Sequence, residues 1–428
     1  MKVLIISHNP VSGQSNMGKT FLSLFSRFDS SELCQLYIYP TVPNTPSCGS
    51  FFRITDKQVL KSILQFKRPG GEIRPEQIRE DQANYEKASD ESLYRNRKNK
   101  SAARRLLRDA MWTLSRWYSP ELKAWLDREA PDCIFVAPGV AKFIHNFALQ
   151  ISKDRKIPIV TYICDEYYFV KNPDSGLDKL RLKLLKGKIE ALMEKTHHLV
   201  AISQELKSEY SEKFHVTATQ LLTGAAFETA REPKLSENPQ VISYFGNIRC
   251  NRYISLGQIG KVLDEINRDL STDYSLHIYT AEKNPEILAS LEQYSSVKLC
   301  GFVSGEAFVR TLQASQLLLH VEAFDEASID FVKHSVSTKI ADSLASGVPL
   351  LAYGPECISS MQHLLRHDCA IAATTPEDLR EMLLTALTNG EARCRVAQKG
   401  LQVAREYHNS DKNSEKLKAI LAEVSAGR

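Results

Sequence analysis

This chain of 428 residues lacks three features that would each define a class of protein. Its nine cysteines are scattered and odd in number, and no two are spaced as C-x-x-C, so we expect reduced thiols and neither disulfides nor a zinc site. No run of about 18 apolar residues occurs, so the sequence predicts no transmembrane helix. The apolar start, Lys2–Ser7, is too short for a secretory signal core. These absences indicate a cytoplasmic protein.

Composition and periodicity predict two α/β domains. Hydrophobic residues make up 43% of the chain and charged residues 25%, which is typical of globular proteins. Apolar runs at 2–7, 133–137, 157–163 and 198–202 alternate with helical patterns, and a second such series starts at 241–245. Two series of this kind predict two domains with parallel sheets, which bind ligands at the carboxyl ends of their strands.

The domain boundary is predicted from the segment 224–240, which has no periodicity. We expect a Rossmann-like domain at residues 1–228, a second at 229–408 and a final helix at 409–428. The first domain contains a long polar and basic excursion at 53–125. A chain of this length fits two domains of about 200 residues each.

The segment 337–355 carries the clearest local signal. Ser337 is a good helix N-cap, Gly347 ends the helix, and a buried strand follows. The free N–H groups of this helix start, together with Ser337, Thr338 and Lys339, can hold an anionic phosphate. Asp342, one turn further on, can accept hydrogen bonds from sugar hydroxyls. The alternative is an ordinary αβ unit with a solvated lysine.

A second phosphate motif stands near the N-terminus. Residues 13–20 match G-x-x-x-x-G-K-[ST], after a strand and before a helix. The apolar run that ends at Asp165 and Glu166 is similar to a strand with a Mg²⁺-holding acid. Together these features suggest a P-loop NTPase or kinase that uses Lys19 and Asp165. The alternative is the glycine turn that any Rossmann-like domain has at this place, with Asp165 capping a neighbouring loop.

The second half carries a series of motifs in order along the chain. A glycine turn follows the strand at Gly246-Asn247, Arg252 comes shortly after it, strand patterns follow at 276–280, 297–303 and 318–324, and 337–355 comes last. The chain resembles the GT-B retaining glycosyltransferases of the large nucleotide-sugar family (family 4-like, group 1), of the bacterial surface polysaccharide type. That resemblance implies an α/β, GT-B fold in which two Rossmann-like parallel-sheet domains face a cleft. It covers both halves, whereas an NTPase would leave residues 240–428 unexplained.

The resemblance also implies roles for particular residues. The expected catalytic residues are Lys339, Arg252 and Glu322. The expected donor-binding residues are Gly246, Asn247, Phe302, His334, Ser337, Thr338 and Asp342. The expected acceptor-side residues are Gly13, Ser15, Gly18, Lys19, Asp165 and Glu166. The partners would be a nucleotide-sugar donor and a glycan or lipid-linked acceptor, with no cofactor, no metal ion and no nucleic acid.

Some positions depart from the family pattern. His334 stands where members often have a glutamate, and Asn247 stands where they often have an arginine. The leaving diphosphate gains negative charge as the glycosidic bond breaks, so Lys339 and Arg252 are suited to stabilise it without a metal ion. Retention of configuration, which only the resemblance implies, needs no enzymic nucleophile if the displacement is front-face.

The charge is unevenly spread, since residues 91–128 hold ten Lys/Arg against four acids while the whole chain is only +4. Trp112, Trp117 and Trp125 lie in this segment. Cations mixed with tryptophan are typical of a surface that docks on anionic lipid, so we expect peripheral binding at the inner face of the membrane if the tryptophans are exposed. The alternative is a solvated helical hairpin whose tryptophans face the core.

Overall fold

The computed structural model describes residues 1–13, 16–65, 67–73, 78, 102–169 and 175–427. They form two compact units, one of Met1–Leu221 with Ser410–Arg428 and the other of Leu222–Asn409. The chain therefore enters the second unit after Leu221 and returns to the first for its last helix. Among the described helices, none combines the length and the apolar character needed to cross a lipid bilayer.

Strands and helices alternate along most of the chain. The strands are β1 Val3–Ser7, β2 Leu33–Tyr37, β3 Ser50–Arg53, β4 Gly71–Ile73, β5 Cys133–Ala137, β6 Ile159–Ile163, β7 Thr196–Ala201, β8 Ala218–Gln220, β9 Val241–Phe245, β10 Ser275–Tyr279, β11 Val297–Gly301, β12 Leu317–Val321, β13 Leu350–Tyr353 and β14 Ile371–Ala373. The helices are α1 Asn16–Leu24, α2 Asp56–Gln65, α3 Ala102–Leu114, α4 Pro120–Glu129, α5 Lys142–Arg155, α6 Gly176–Glu194, α7 Gln204–Phe214, α8 Arg252–Leu270, α9 Pro285–Glu292, α10 Gly305–Gln313, α11 Glu326–Val332, α12 Thr338–Ala345, α13 Ser359–Arg366, α14 Leu379–Thr388, α15 Gly390–Tyr407 and α16 Ser410–Ala426.

The first unit is built on an eight-stranded sheet in the order β4-β3-β2-β1-β5-β6-β7-β8. Neighbouring strands run parallel except β4, which is antiparallel to β3 at one edge. β1, β5 and β6 are continuous apolar runs in which every residue is buried, which is typical of parallel strands covered on both faces. These strands and β7 confirm the four apolar runs predicted in this half.

The tryptophans of the basic segment pack into the first unit, and the expectation that Trp112 anchors the chain to a membrane is wrong. Trp112 is fully buried and stacks on Phe143, with ring centroids 4.3 Å apart. Trp125 is also buried, beside Phe52, and Trp117 is half-buried. Burial of these large rings supplies core area that an amphipathic helical pair needs. Residues 91–101 of the segment lie outside the described residues.

The second unit is built on a six-stranded parallel sheet in the order β11-β10-β9-β12-β13-β14. The chain adds β10 and β11 on one side of β9 and then crosses to the other side, where it adds β12, β13 and β14. The strand order therefore reverses between β9 and β12. In open α/β sheets, ligands bind in the crevice outside the carboxyl ends of the strands at such a reversal.

His408 joins the two ends of the second unit. Its carbonyl accepts the N–H of Ala225 at 2.9 Å, and its ring Nδ1 lies 2.9 Å from the carbonyl oxygen of Thr223. Its Nε2 lies 3.0 Å from the Nε2 of His363. Since a carbonyl only accepts, His408 carries its proton on Nδ1, and His363 donates from Nε2. His408, which accepts at Nε2, is therefore neutral. Burial lowers the pKa of His408 from 6.5 to about 4 and that of His363 well below its usual value.

We expect this pair to make the protein sensitive to acid. At pH values above 6.5 His408 is neutral both folded and unfolded, but below it only the unfolded chain takes up the proton. The free energy of unfolding should therefore fall by about 2 kcal/mol as the pH drops from about 6.5 to about 5. His408→Asn keeps a donor for Thr223 and removes this titration. We expect a flatter dependence of Tm on pH for the variant, measured by circular dichroism, and parallel curves would contradict the assignment.

Candidate functional site

The carboxyl ends of β9 and β12 bring together several predicted site residues. Gly246 and Asn247 form the turn after β9, and the turn is fixed by a hydrogen bond of 2.7 Å from the hydroxyl of Tyr244 to the carbonyl of Asn247. Glu322 follows β12. Gly354 follows β13 beside it, where an added Cβ would lie 2.8 Å from the Cβ of Glu322. The close approach of these two strand ends therefore requires a glycine at that position.

Arg252 and Glu322 form a buried ion pair at this reversal point. The Nη2 of Arg252 lies 2.7 Å from Oε2 of Glu322, and its Nε lies 2.9 Å from the same oxygen. The arginine also reaches the carbonyl of Val321 and, at 3.4 Å, the side-chain oxygen of Asn247. Because only 3% of the Glu322 side chain is exposed, its carboxylate is available to Arg252 and hardly at all to a ligand.

The electrostatics of this pair follow from its burial. Burial raises the pKa of Glu322, and the guanidinium of Arg252 opposes that rise. The imidazole of His320 lies 3.5 Å from Glu322, and burial together with Arg252 lowers its pKa to about 3. His320 is therefore neutral, and Arg252 is the cation that balances Glu322.

Lys339 lies at the start of α12, which begins as the sequence predicts. The hydroxyl of Ser337 accepts the N–H of Lys339 at 3.4 Å, as an N-cap does. The Lys339 ammonium lies 5.3 Å from the centre of the Phe308 ring. That ring meets the edge of Phe245, which stacks on Tyr279 at 4.6 Å. Phe245 directly precedes Gly246, so these aromatic rings connect the glycine turn to the start of α12.

The remaining predicted donor residues lie around this group. Asp342 is buried, and its Oδ1 accepts the N–H of Ala226 at 2.8 Å, so this oxygen holds the segment that leads into β9. His334 is buried in the turn between α11 and α12, and Thr338 is the first residue of α12. Phe302, which follows β11, is 67% exposed and offers a free aromatic face.

The sequence pointed to Phe302 but not to three other aromatic residues of this site. Phe245, Tyr279 and Phe308 lie far apart along the chain and were each consistent with ordinary core positions. The available signal was the placement of Phe245 and Tyr279 at the carboxyl ends of neighbouring parallel strands, where side chains meet at one edge of the sheet.

The predicted acceptor-side residues belong to the first unit. The N–H of Gly13 donates to the side-chain oxygen of Asn44 at 3.1 Å, so an internal side chain uses the group that a phosphate cradle would need. Gly18 is buried at the start of α1, and Lys19 is exposed. Ser15 lies outside the described residues. The motif at 13–20 was expected to precede a helix, which is wrong, since α1 begins at Asn16, within the motif.

Asp165 and Glu166 follow β6. The Oε1 of Glu166 accepts the N–H of Phe169 at 2.6 Å, the N–H of Tyr168 and, at 3.3 Å, the hydroxyl of Tyr210. This carboxylate therefore closes its own turn, and burial raises its pKa. Asp165 is half-buried, with the hydroxyl of Tyr167 at 3.5 Å. Because β5 lies between β1 and β6 in the sheet, the carboxyl ends of β1 and β6 are roughly 10 Å apart.

Comparisons with known proteins agree with this architecture. Residues 261–419 match the protein family described as glycosyl transferase-like. Anabaena HepE in complex with UDP has a TM-score of 0.64 at 10% identity, over 99% of this chain and 100% of that one. Sucrose-phosphate synthase from Thermosynechococcus elongatus has a TM-score of 0.64 at 10% identity, over 100% of both chains. The UDP-forming α,α-trehalose-phosphate synthase from Burkholderia vietnamiensis has a TM-score of 0.60 at 10% identity, over 99% and 98%. A search of curated proteins finds no match.

The fold and the family match together define the class of this protein. Two α/β units with sheets of eight and six strands make the fold GT-B, as the sequence predicts. The family match covers the part of the chain that carries Phe302, Glu322 and α12, whereas Gly246 and Arg252 precede it. The chain is a glycosyltransferase of the GT-B fold.

Proposed function

We propose that this enzyme transfers a sugar from a nucleoside diphosphate sugar to a glycan or a lipid-linked glycan. The observation that carries the proposal is the position of Lys339, at the capped start of α12 and against the aromatic group that leads into the Gly246 turn. A cation and a helix N-terminus at one place suit a diphosphate, which carries the leaving charge of such a donor.

The proposed chemistry assigns a distinct task to each group. The N–H groups of α12, the hydroxyls of Ser337 and Thr338 and the ammonium of Lys339 would stabilise the charge that develops on the leaving phosphate. Arg252 would help to stabilise the same phosphate charge, and Glu322 would fix the orientation of the Arg252 side chain. We therefore assign Glu322 a positioning role. Because fixed cations can replace Mg²⁺ here, we propose a metal-independent reaction. Retention of the anomeric configuration stays a prediction from the family resemblance.

The donor is proposed to be a uridine nucleotide sugar. Structures of Anabaena HepE exist in complex with UDP and with UDP-glucose, and the Burkholderia trehalose-phosphate synthase is described as UDP-forming. In this chain, the exposed ring of Phe302 and the half-buried ring of Tyr279 are surfaces on which a base can stack. We propose these two rings as candidates for contact with the uracil.

We propose that the acceptor belongs to surface polysaccharide synthesis, either lipopolysaccharide or capsule. Asp342 would contact the ribose, and His334 would lie near the donor sugar. The acceptor-side residues would be those of the first unit, from Gly13 to Lys19 and at Asp165.

We propose the cytoplasmic face of the membrane as the place where the enzyme acts, since nucleotide-sugars serve as the donors.

A thermal-shift panel tests the donor class. UDP at about 100 times its Kd should stabilise the protein by about 2.7 kcal/mol, which raises Tm by roughly 5–11 °C for a unit of this size. We expect the shift to survive EDTA, and we expect ADP, GDP and Mg-ATP to shift Tm less. Lys19→Ala serves as the matched variant and should keep the UDP shift. Stabilisation by Mg-ATP alone, abolished by Lys19→Ala, would instead support the P-loop alternative.

A further inference from the structure

Three helices of the first unit expose leucines at helical spacing. Leu64 is 70% exposed, Leu107 71% and Leu114 75%. The full set, which we name the leucine face, consists of Leu60 and Leu64 on α2, Leu107 and Leu114 on α3, and Leu177, Leu180 and Leu184 on α6. Spacings of three, four and seven residues place the leucines of each helix on one side of it.

The three helices are neighbours, so their leucines form a set. α2 packs on α3, and α3 packs on α6. The first contact is fixed by Asp56, which accepts hydrogen bonds from the Nε of Arg108 at 2.9 Å and from the indole N–H of Trp112 at 2.7 Å. α6 has a separate buried side made of Leu182, Leu185 and other apolar residues, so its exposed leucines are a second apolar stripe that the core does not use.

Exposed cations lie close to these leucines along the same helices, and three acids of these helices are paired with cations. The exposed cations are Lys61 on α2, Arg104 and Arg105 on α3, and Lys179 and Lys183 on α6. The acids are Asp56 with Arg108, Asp109 with Lys142 at 3.7 Å, and Asp178 with Arg181 at 2.9 Å. The two further acids of α6 lie in its last two turns. The leucine face is therefore both apolar and positively charged.

We propose that the leucine face binds the surface of an anionic lipid bilayer. Helices that lie in the membrane interface bury apolar side chains at the acyl boundary while lysine and arginine reach the lipid phosphates. A second copy of this chain fits less well, because pairing two such faces would bring like charges together. A soluble acidic polymer would engage the cations and leave the leucines in water.

This surface differs from the one predicted for residues 91–128. It uses α2 and α6, which lie outside that segment, and it uses none of the three tryptophans. Only Arg104, Arg105 and the α3 leucines are shared. Binding at the leucine face depends on neither the donor nor the chemistry of transfer, so it can be tested in the absence of any nucleotide.

Co-sedimentation of the full chain with vesicles tests this surface. We expect binding to phosphatidylglycerol–phosphatidylcholine vesicles and little to phosphatidylcholine alone. Binding should weaken as NaCl is raised from about 0.1 to about 0.5 M, because salt screens the attraction. The combined variant Leu64→Gln, Leu107→Gln, Leu114→Gln should lower the partition coefficient by roughly 100-fold, since three buried apolar side chains are lost. The combined Lys61→Glu, Lys183→Glu variant should lower it by at least roughly 30-fold.

Matched variants on the second unit serve as controls. Leu235→Gln with Leu270→Gln alters leucines that are about as exposed as Leu60, and Lys261→Glu with Lys399→Glu makes the same charge change. We expect both control proteins to bind vesicles as the wild type does. Circular dichroism melts of every variant check that the fold is intact, and all the altered side chains are exposed.

Several outcomes would overturn the proposal. The proposal fails if the wild type does not bind anionic vesicles, or if it binds neutral vesicles equally well. It also fails if the leucine and lysine variants bind vesicles as well as the control proteins do. In sedimentation equilibrium, a wild-type dimer that the leucine variant loses would identify a second copy as the occupant of the face. An unchanged UDP-induced Tm shift in a variant that loses vesicle binding would support separate donor and membrane surfaces.

Discussion

Arg252→Met should destabilise the second unit by about 3–5 kcal/mol. The substitution removes the guanidinium that lies 2.7 Å from Glu322 and leaves a buried carboxylate without its counter-charge. The side chains are only 15% and 3% exposed, so water can compensate little. Urea unfolding followed by circular dichroism measures the effect, and the transition that UDP shifts reports on the second unit if the two units unfold separately.

A second substitution separates the structural part of this effect from the catalytic part. Adding Glu322→Gln to Arg252→Met removes the unpaired charge, so at least half of the lost free energy of unfolding should return. If Arg252 also stabilises the leaving phosphate, the double variant should be folded and still transfer sugar about 100-fold more slowly. A double variant that recovers both stability and turnover would limit Arg252 to the structural role. A single variant as stable as the wild type would contradict the buried ion pair.

Lys339→Ala should reduce kcat/KM for transfer by about 100-fold or more, on the order of 3 kcal/mol of transition-state stabilisation. Lys339 is the second residue of α12, at whose capped start negative charge is expected to develop on the leaving phosphate. The effect should appear mainly in kcat, because the diphosphate becomes more negative in the transition state than it is in the donor. Release of UDP from a UDP-sugar, measured in a coupled assay, follows the reaction.

Two companion variants make this test specific. Lys339→Met keeps an unbranched stem against the ring of Phe308 but carries no charge, so a loss equal to that of Lys339→Ala would assign the effect to the ammonium. Lys19→Ala removes an exposed lysine of the first unit and should leave UDP binding unchanged. Near-normal kcat/KM in both Lys339 variants would remove Lys339 from the reaction.

Local pattern was a good guide to the elements around the site. The cap at Ser337 and the stop at Gly347 predicted α12 because both act through backbone groups a few residues away. Continuous apolar runs predicted β5, β6 and β9 because parallel strands are buried on both faces. β2 was missed because Gln35 interrupts its apolar run. The buried amide of that glutamine is satisfied by hydrogen bonds with Ser7, Asn9 and Val11.

Side-chain partners across long sequence separations were not predictable from the pattern. Arg252 and Glu322 were both expected at the site, but that they neutralise each other depends on the adjacency of β9 and β12. Asp342 was expected to face a ribose, whereas one of its oxygens holds Ala226. Trp112 has the same local pattern whether it faces lipid or core, and its stacking on Phe143 decided between them.

The amino-acid sequence by itself determined the α/β class and the start of α12, because these depend on periodicity and capping within short windows, while the GT-B fold was implied by the family resemblance. Only the tertiary structure decided which charged side chains form ion pairs with each other, since a charge is neutralised by its neighbours in space. It placed Lys339 against the aromatic group at the switch point and paired Arg252 with Glu322. It also buried Trp112 and Trp125 and left the leucine face exposed, because α2, α3 and α6 pack by the sides that do not carry these leucines.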